Sequence, residues 1–284
     1  MNENIDFIKK IQLSFPKLSK GQRMIAEYIM NNYDKAAFMT AAKLGEKVGV
    51  SESTVVRFAN VLEFEGYPQM QKVLQEILRT RLTTVQRIEL TSDYSNEESI
   101  LKRVLKADMD NIRLTIGEAD LKAFDDSVNS IINAEHIYIV ALRSSIALAD
   151  FLSFYLNFIR GNVHTVTHSI SDIFEILFRV NEKDLVIGIG FPRYSSKTIE
   201  ALDYAKSQGA KVLAITDSLL SPLTSHSDYT LIAKSNMEAF VDSLVAPLSL
   251  LNALIVGVGI KEKSNLSDSF AKLEEVWKKY KVYL

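Results

Sequence analysis

Residues 50 to 62, V-S-E-S-T-V-V-R-F-A-N-V-L, decide how the N-terminal part of the chain is read. On a wheel of 3.6 residues per turn, Val55, Phe58, Ala59 and Leu62 fall on one side, which packs inward. Ser53, Arg57 and Asn60 fall on the opposite side, with Thr54 at its margin. A face meant only for water would more often carry Glu and Lys. Hydroxyl, guanidinium and carboxamide groups instead suit phosphate oxygens and the base edges of a major groove.

The sequence before this stretch supplies its setting. Ser19, with Gln22 three residues on, predicts a capping box that opens a helix carrying Ile25, Tyr28 and Ile29 inward. A second helix is expected after Thr40, with Ala41, Leu44 and Val48 at helical spacing and a stop at Gly49. Val50 then bridges a very tight turn to Ser51, which is expected to cap the third helix. Two short helices joined by a Gly-containing turn are the helix-turn-helix arrangement.

Composition bounds the rest. The chain has 284 residues, 47% of them hydrophobic and 24% charged, enough for one large domain or two smaller ones with real cores. It has no Cys, which excludes disulfides, thiolate nucleophiles and Cys-based zinc sites and favours a reducing, cytoplasmic setting. The N-terminus lacks the basic-then-apolar order of a secretory signal. The apolar run 244–260 is short for a membrane span, carries Pro247 and Asn252 and closely follows Asp242, so it reads as a buried helix of a soluble protein with no membrane partner. Residues 1–90 hold 13 Lys+Arg against 10 Asp+Glu, whereas the remainder holds 20 against 25. That sign suits an N-terminal part that meets a polyanion.

Residues 81–97, rich in Thr, Ser and charge, read as a linker between an all-α helix-turn-helix domain at 1–80 and a second domain at 98–284. Two amphipathic helices are expected first, near 99–114 and 119–134. From His136 the texture changes to short apolar runs at 137–142, 163–166, 184–190, 211–216 and 229–233, alternating with helical patterns at 145–159, 171–180, 198–208 and 240–260. Strands apolar on both faces and separated by helices predict an α/β doubly wound parallel sheet, which binds ligands beyond the carboxyl ends of its strands.

The loops at that edge are consistently polar. Arg143, Ser144 and Ser145 follow the first strand; Arg193, Ser195, Ser196 and Thr198 follow the third; Thr216, Asp217, Ser218 and Ser221 follow the fourth. A Ser or Thr at any one helix start is most often a cap, but three such loops at one edge predict an anion pocket. The two arginines are expected to converge on a phosphate or a carboxylate. Pairing of each with a carboxylate of its own protein is equally consistent.

Residues 43–74, with Ser51, Thr54, Arg57, Phe58 and the Gly66-Tyr67-Pro68 turn, resemble the DNA-binding module of the RpiR-type bacterial transcriptional regulators. Residues 136 to about 260, with T-D-S-x-x-S-P at 216–222, resemble the sugar isomerase (SIS) domain, a flavodoxin-like fold, and the order of the two parts is that of the same regulators. The resemblance implies that Ser51, Ser53, Thr54, Arg57 and Asn60 touch DNA, with Lys17 and Lys20 as outlying phosphate contacts. It also implies that Ser144, Ser145, Ser195, Ser196 and Thr198 hold a sugar phosphate. Three departures are visible: Glu63 where the family often has Gly, Arg143 in a loop that is usually Gly-rich, and Arg193 with Tyr194 in place of smaller residues.

The expected function is thus that of a transcriptional regulator reading double-stranded operator DNA and sensing a small acidic sugar or sugar phosphate, as a homodimer or higher homo-oligomer. No cofactor, metal or catalytic residue is expected. His136 and His164 lie on or beside strands and read as structural; His168 and His226 sit in loops and stay open as bases. The alternative is a sugar-phosphate isomerase with an appended helical domain.

Overall fold

The structure, a computed structural model, describes residues 7, 10, 11, 13–81, 87, 99–167, 172–237 and 240–283. The chain divides into two compact units, Met1–Gln86 and Arg87–Leu284. The expected linker, 81–97, lies outside the described residues except for Arg81 and Arg87.

The first unit is helical. Its elements are α1 (Lys20–Asn31), α2 (Tyr33–Ala36), α3 (Ala41–Val48), α4 (Glu52–Val61) and α5 (Tyr67–Arg81). The capping box forms as expected: Ser19 accepts from the Gln22 backbone, and the Gln22 side chain accepts from that of Ser19. Thr40 caps α3. Gly49 ends it with φ of 79°, a conformation costly for any residue with a Cβ. The turn into α4 is closed by the Val50 N–H donating to the Gly45 carbonyl at 2.8 Å. A Cβ on Gly45 would sit 2.7 Å from the Val50 oxygen, so only glycine lets α3 approach this turn. Val55, Phe58, Ala59 and Leu62 are buried with Ile25, Ile29 and Leu44, the inward side expected from the wheel. Tyr67 locks α5 on: its hydroxyl donates to the Met39 carbonyl at 2.7 Å, and Gln71 donates to the same oxygen at 2.8 Å.

The second unit opens with α6 (Ile100–Gly117) and α7 (Leu121–Asn133) and continues as β1 (Ile137–Ala141), α8 (Ile146–Ile159), β2 (Val163–Val166), α9 (Ile173–Leu177), β3 (Leu185–Ile189), α10 (Ser196–Ser207), β4 (Lys211–Thr216), β5 (Tyr229–Ile232), α11 (Val245–Lys261) and α12 (Lys263–Tyr280). The strands form one parallel sheet in the order β2-β1-β3-β4-β5. Central β1 and β3 are buried at every position, which explains their unbroken apolar runs, whereas edge strand β2 exposes His164 and Thr165. Ile137, Ile139 and Ala141 face one way, onto α7, α8 and α11; Tyr138 and Val140 face the other, onto α9 and α10. The sheet is doubly wound, with the flavodoxin-like strand order.

Two expected helices differ in extent. The pattern at 171–180 yields only five helical residues, Ile173–Leu177, behind an Asp172 capping box. The helix expected from 240 starts at Val245, which puts Pro247 in the first turn, where its missing N–H costs nothing. Ala246, Leu251, Leu254, Ile255 and Val258 of this helix are buried. Among the described residues, no helix is long and apolar enough to cross a membrane.

Candidate nucleic-acid interface and anion cleft

Helix α4 presents Ser51, Ser53, Arg57 and Asn60 as exposed side chains, with Thr54 half-buried beside them. The arginine is already positioned: its Nε donates to the Ser53 carbonyl at 3.1 Å and its Nη2 to the Ser53 hydroxyl at 3.3 Å. Ser51 departs from expectation. It occupies the N-cap position but makes no cap hydrogen bond, because its hydroxyl bonds those of Ser53 and Thr54, each at 2.9 Å. The start of α4 is therefore lined by linked hydroxyls instead of a cap. Lys17 and Lys20 are exposed near the start of α1, so they remain available to a polyanion. Val56 and Val61, 37% and 41% exposed, add apolar surface beside the polar side chains.

Glu63 follows this helix with φ of 62°, the left-handed conformation that suits a glycine. Its carboxylate is held by Lys10 at 3.1 Å. The departure seen in the sequence therefore keeps a glycine-like backbone and adds a surface ion pair.

In the second unit, the loops after β1 and β3 face each other across the point where strand order reverses, the place where such sheets bind ligands. They enclose a cleft of about 770 Å³ lined by Arg143, Ser144, Ser145, Arg193, Ser195, Ser196 and Thr198 among others. Seven of the residues expected at the effector site are thus brought together. Ser145 precedes α8 and Ser195 precedes α10, yet neither hydroxyl makes a cap hydrogen bond, so both differ from ordinary capping serines. Arg143 and Arg193 have φ of 58° and 65°. Strained backbone of this kind, about 1–3 kcal/mol per residue, persists where surrounding structure holds it and clusters at ligand sites. Arg143 is exposed and makes no ion pair among the described residues.

The third loop behaves differently. Thr216, Asp217 and Ser221 are buried and do not line the cleft. The Thr216 hydroxyl donates to that of Ser221 at 2.7 Å, and Asp217 accepts from the Tyr194 hydroxyl at 2.7 Å. Lys234, itself buried, contacts the Asp217 carbonyl at 3.3 Å and pairs with Glu118 at 2.6 Å. These groups stiffen the floor behind the second loop. Their separation from the cleft follows from the Thr216–Ser221 bond, which turns the loop on itself.

Two lining residues from outside the expected loops escaped sequence reasoning. Arg87, from the expected linker, and Asp242, from the segment before α11, form an ion pair of 2.9 Å at the cleft wall. Nothing in a local pattern links residues 155 positions apart. Of the histidines, His164 stacks with Tyr138, His136 is tilted against both rings, His226 lies 3.1 Å from Asp203, and His168 falls outside the described residues.

Comparison with known proteins finds relatives of both domains. The helix-turn-helix domain of the rpiR family matches residues 5–81, and the SIS domain matches residues 130–257. The HTH-type transcriptional regulator HexR of Escherichia coli is 25% identical over 281 residues, covering 96% of this chain and 95% of the regulator. The sugar isomerase domain of an RpiR transcription factor from Sphaerobacter thermophilus matches with a TM-score of 0.61 at 25% identity, over 63% of this chain and 99% of that one. The Vibrio vulnificus NanR protein, solved in complex with ManNAc-6P, matches with a TM-score of 0.59 at 21% identity, over 96% of this chain and 98% of its own. At that identity the likeness bears on the fold.

Proposed function

The chain belongs to the RpiR-type transcriptional regulators, which join a helix-turn-helix domain to a SIS domain, and from this premise we propose how its two sites work. The N-terminal unit binds double-stranded operator DNA through α4. Arg57 and Asn60 meet base edges, Ser51, Ser53 and Thr54 meet the backbone, and Lys17 and Lys20 add salt-dependent phosphate contacts. The SIS domain senses a phosphosugar or related acidic sugar in the cleft between the β1 and β3 loops. There Arg143 and Arg193 pair with its anionic group and Ser144, Ser145, Ser195 and Ser196 bond its oxygens.

The observation that carries this reading is the exposure of Ser53, Arg57 and Asn60 on a helix whose other side, Val55, Phe58 and Ala59, is buried. NanR bound to ManNAc-6P supports a phosphosugar as the ligand class. The name of the similar HexR protein, a transcriptional regulator, supports sensing over turnover. A cytoplasmic homodimer reading two half-sites fits the DNA-binding mode, and the exposed side of α11, Leu248, Val256 and Ile260, supplies apolar surface for such pairing. Ligand regulates only if it binds the DNA-competent and DNA-released forms with different affinity.

A mobility-shift assay on the DNA upstream of the protein's own gene, repeated with phosphosugars and sugar acids, tests the reading. The expected result is a specific shift altered by one ligand class. Turnover of a sugar phosphate with no specific shift would favour the isomerase instead.

A further inference from the structure

Arg87 is the first residue of the second unit, directly after Gln86 of the DNA-binding unit. Its side chain is 4% exposed, and its Nη1 lies 2.9 Å from Oδ2 of Asp242, which is 18% exposed. Both line the cleft. Among the described lining residues Asp242 is the single acid, in the company of Arg87, Arg143, Arg193 and Lys197. Its second oxygen, Oδ1, is buried and accepts no hydrogen bond among the described residues. A carboxylate whose buried oxygen is left unsatisfied is poorly compensated for that oxygen's loss of water. A phosphate entering the same cleft carries more charge, three acceptor oxygens and the geometry for a two-pronged bond to a guanidinium.

We propose that Asp242 competes with the ligand's phosphate for Arg87, and that Arg87 is a third anion-binding arginine, exchanged from Asp242 to the phosphate when ligand binds. This rests on the reading of the cleft as the effector site and adds how occupancy is passed on. The exchange acts at the residue where the chain arrives from the DNA-binding unit, and it frees Asp242 in the segment three residues before α11. A carboxylate that competes with the ligand makes Arg87 respond to an anion of higher charge and not to a neutral sugar.

The test is a double-mutant cycle on the full chain, titrated with inorganic phosphate and with ManNAc-6P by calorimetry, using Asp242→Asn, Arg87→Gln and the pair together. Asp242→Asn keeps the side-chain shape and removes the competitor, so phosphate binding tightens about tenfold or more. Arg87→Gln weakens it by about the same factor, and in the Arg87→Gln background Asp242→Asn no longer tightens it. Should Arg87→Gln fail to fold by thermal unfolding, the comparison of Asp242→Asn with wild type decides alone. Unchanged or weaker phosphate binding in Asp242→Asn, with Arg143→Ala still weakening binding, overturns the exchange and leaves the effector site standing. Phosphate binding that is absent in wild type, or indifferent to Arg143→Ala and Arg193→Ala, removes the site itself and the exchange with it.

Discussion

Replacing Arg143 with glycine should stabilise the protein and weaken its ligand binding at once. Arg143 has φ of 58°, and the left-handed conformation costs an L-residue roughly 1–2 kcal/mol. Glycine relieves that strain but loses more chain entropy on folding, roughly 0.5–1 kcal/mol. The side chain is exposed, so its removal costs little packing. The net gain is about 0.5–1 kcal/mol, or an increase of roughly 1–4 °C in Tm for a unit of this size. Arg143→Ala removes the same guanidinium and keeps the strained backbone, so it gains nothing. Binding moves the other way in both variants: losing a charge-assisted hydrogen bond worth about 1.5–3 kcal/mol weakens a phosphosugar about ten- to a hundredfold. Thermal unfolding by circular dichroism and calorimetry against phosphosugars and sugar acids read the two effects on the same samples. A glycine variant no more stable than the alanine variant would refute the strain argument. Affinity unchanged in both would remove Arg143 from the site.

Other perturbations have equally definite outcomes. Gly45→Val drives a Cβ to 2.7 Å from the Val50 oxygen and should destabilise the helix-turn-helix by about 1–3 kcal/mol, seen as a lower Tm of that unit with DNA binding lost in parallel. Tyr67→Phe removes the bond to the Met39 carbonyl and should cost about 1–2 kcal/mol in denaturant unfolding. Burial pushes the Tyr67 hydroxyl from its ordinary 10.0 up to about 12. The unfolded chain therefore loses this proton first, and the stability it confers is complete below pH 10 and declines as pH rises towards 12, a decline that Tyr67→Phe should lack. Lys17→Ala and Lys20→Ala should each weaken operator and non-operator DNA alike and lower the salt slope by about 0.9, measured by anisotropy across a salt series.

Most of the architecture was legible because it is written in local periodicity. The capping box at Ser19 and Gln22, the Gly49 stop and the inward side of α4 depend on residues within a turn or two of each other. The strands of the sheet were legible for the same reason, as β1 and β3 are buried throughout and must be apolar throughout. What the sequence hid is long-range or conformational. The Arg87–Asp242 pair joins a linker to a segment 155 residues away. The φ values of Glu63, Arg143 and Arg193 concern backbone, and the residue types at those positions argue against them. Thr216 and Ser221 match a ligand-binding loop in type but bond each other. Ser51 took a cap position without capping, because two neighbouring hydroxyls were closer partners than the backbone.

The central claim is that α4 reads operator DNA, and Arg57→Ala tests it most directly. In anisotropy titrations of labelled DNA from upstream of the gene, the variant should lose about 1–3 kcal/mol per bound module, tenfold or more in Kd, while its thermal unfolding matches wild type because the side chain is exposed. A folded Arg57→Ala protein that binds this DNA as tightly as wild type, at every salt concentration, would contradict the account.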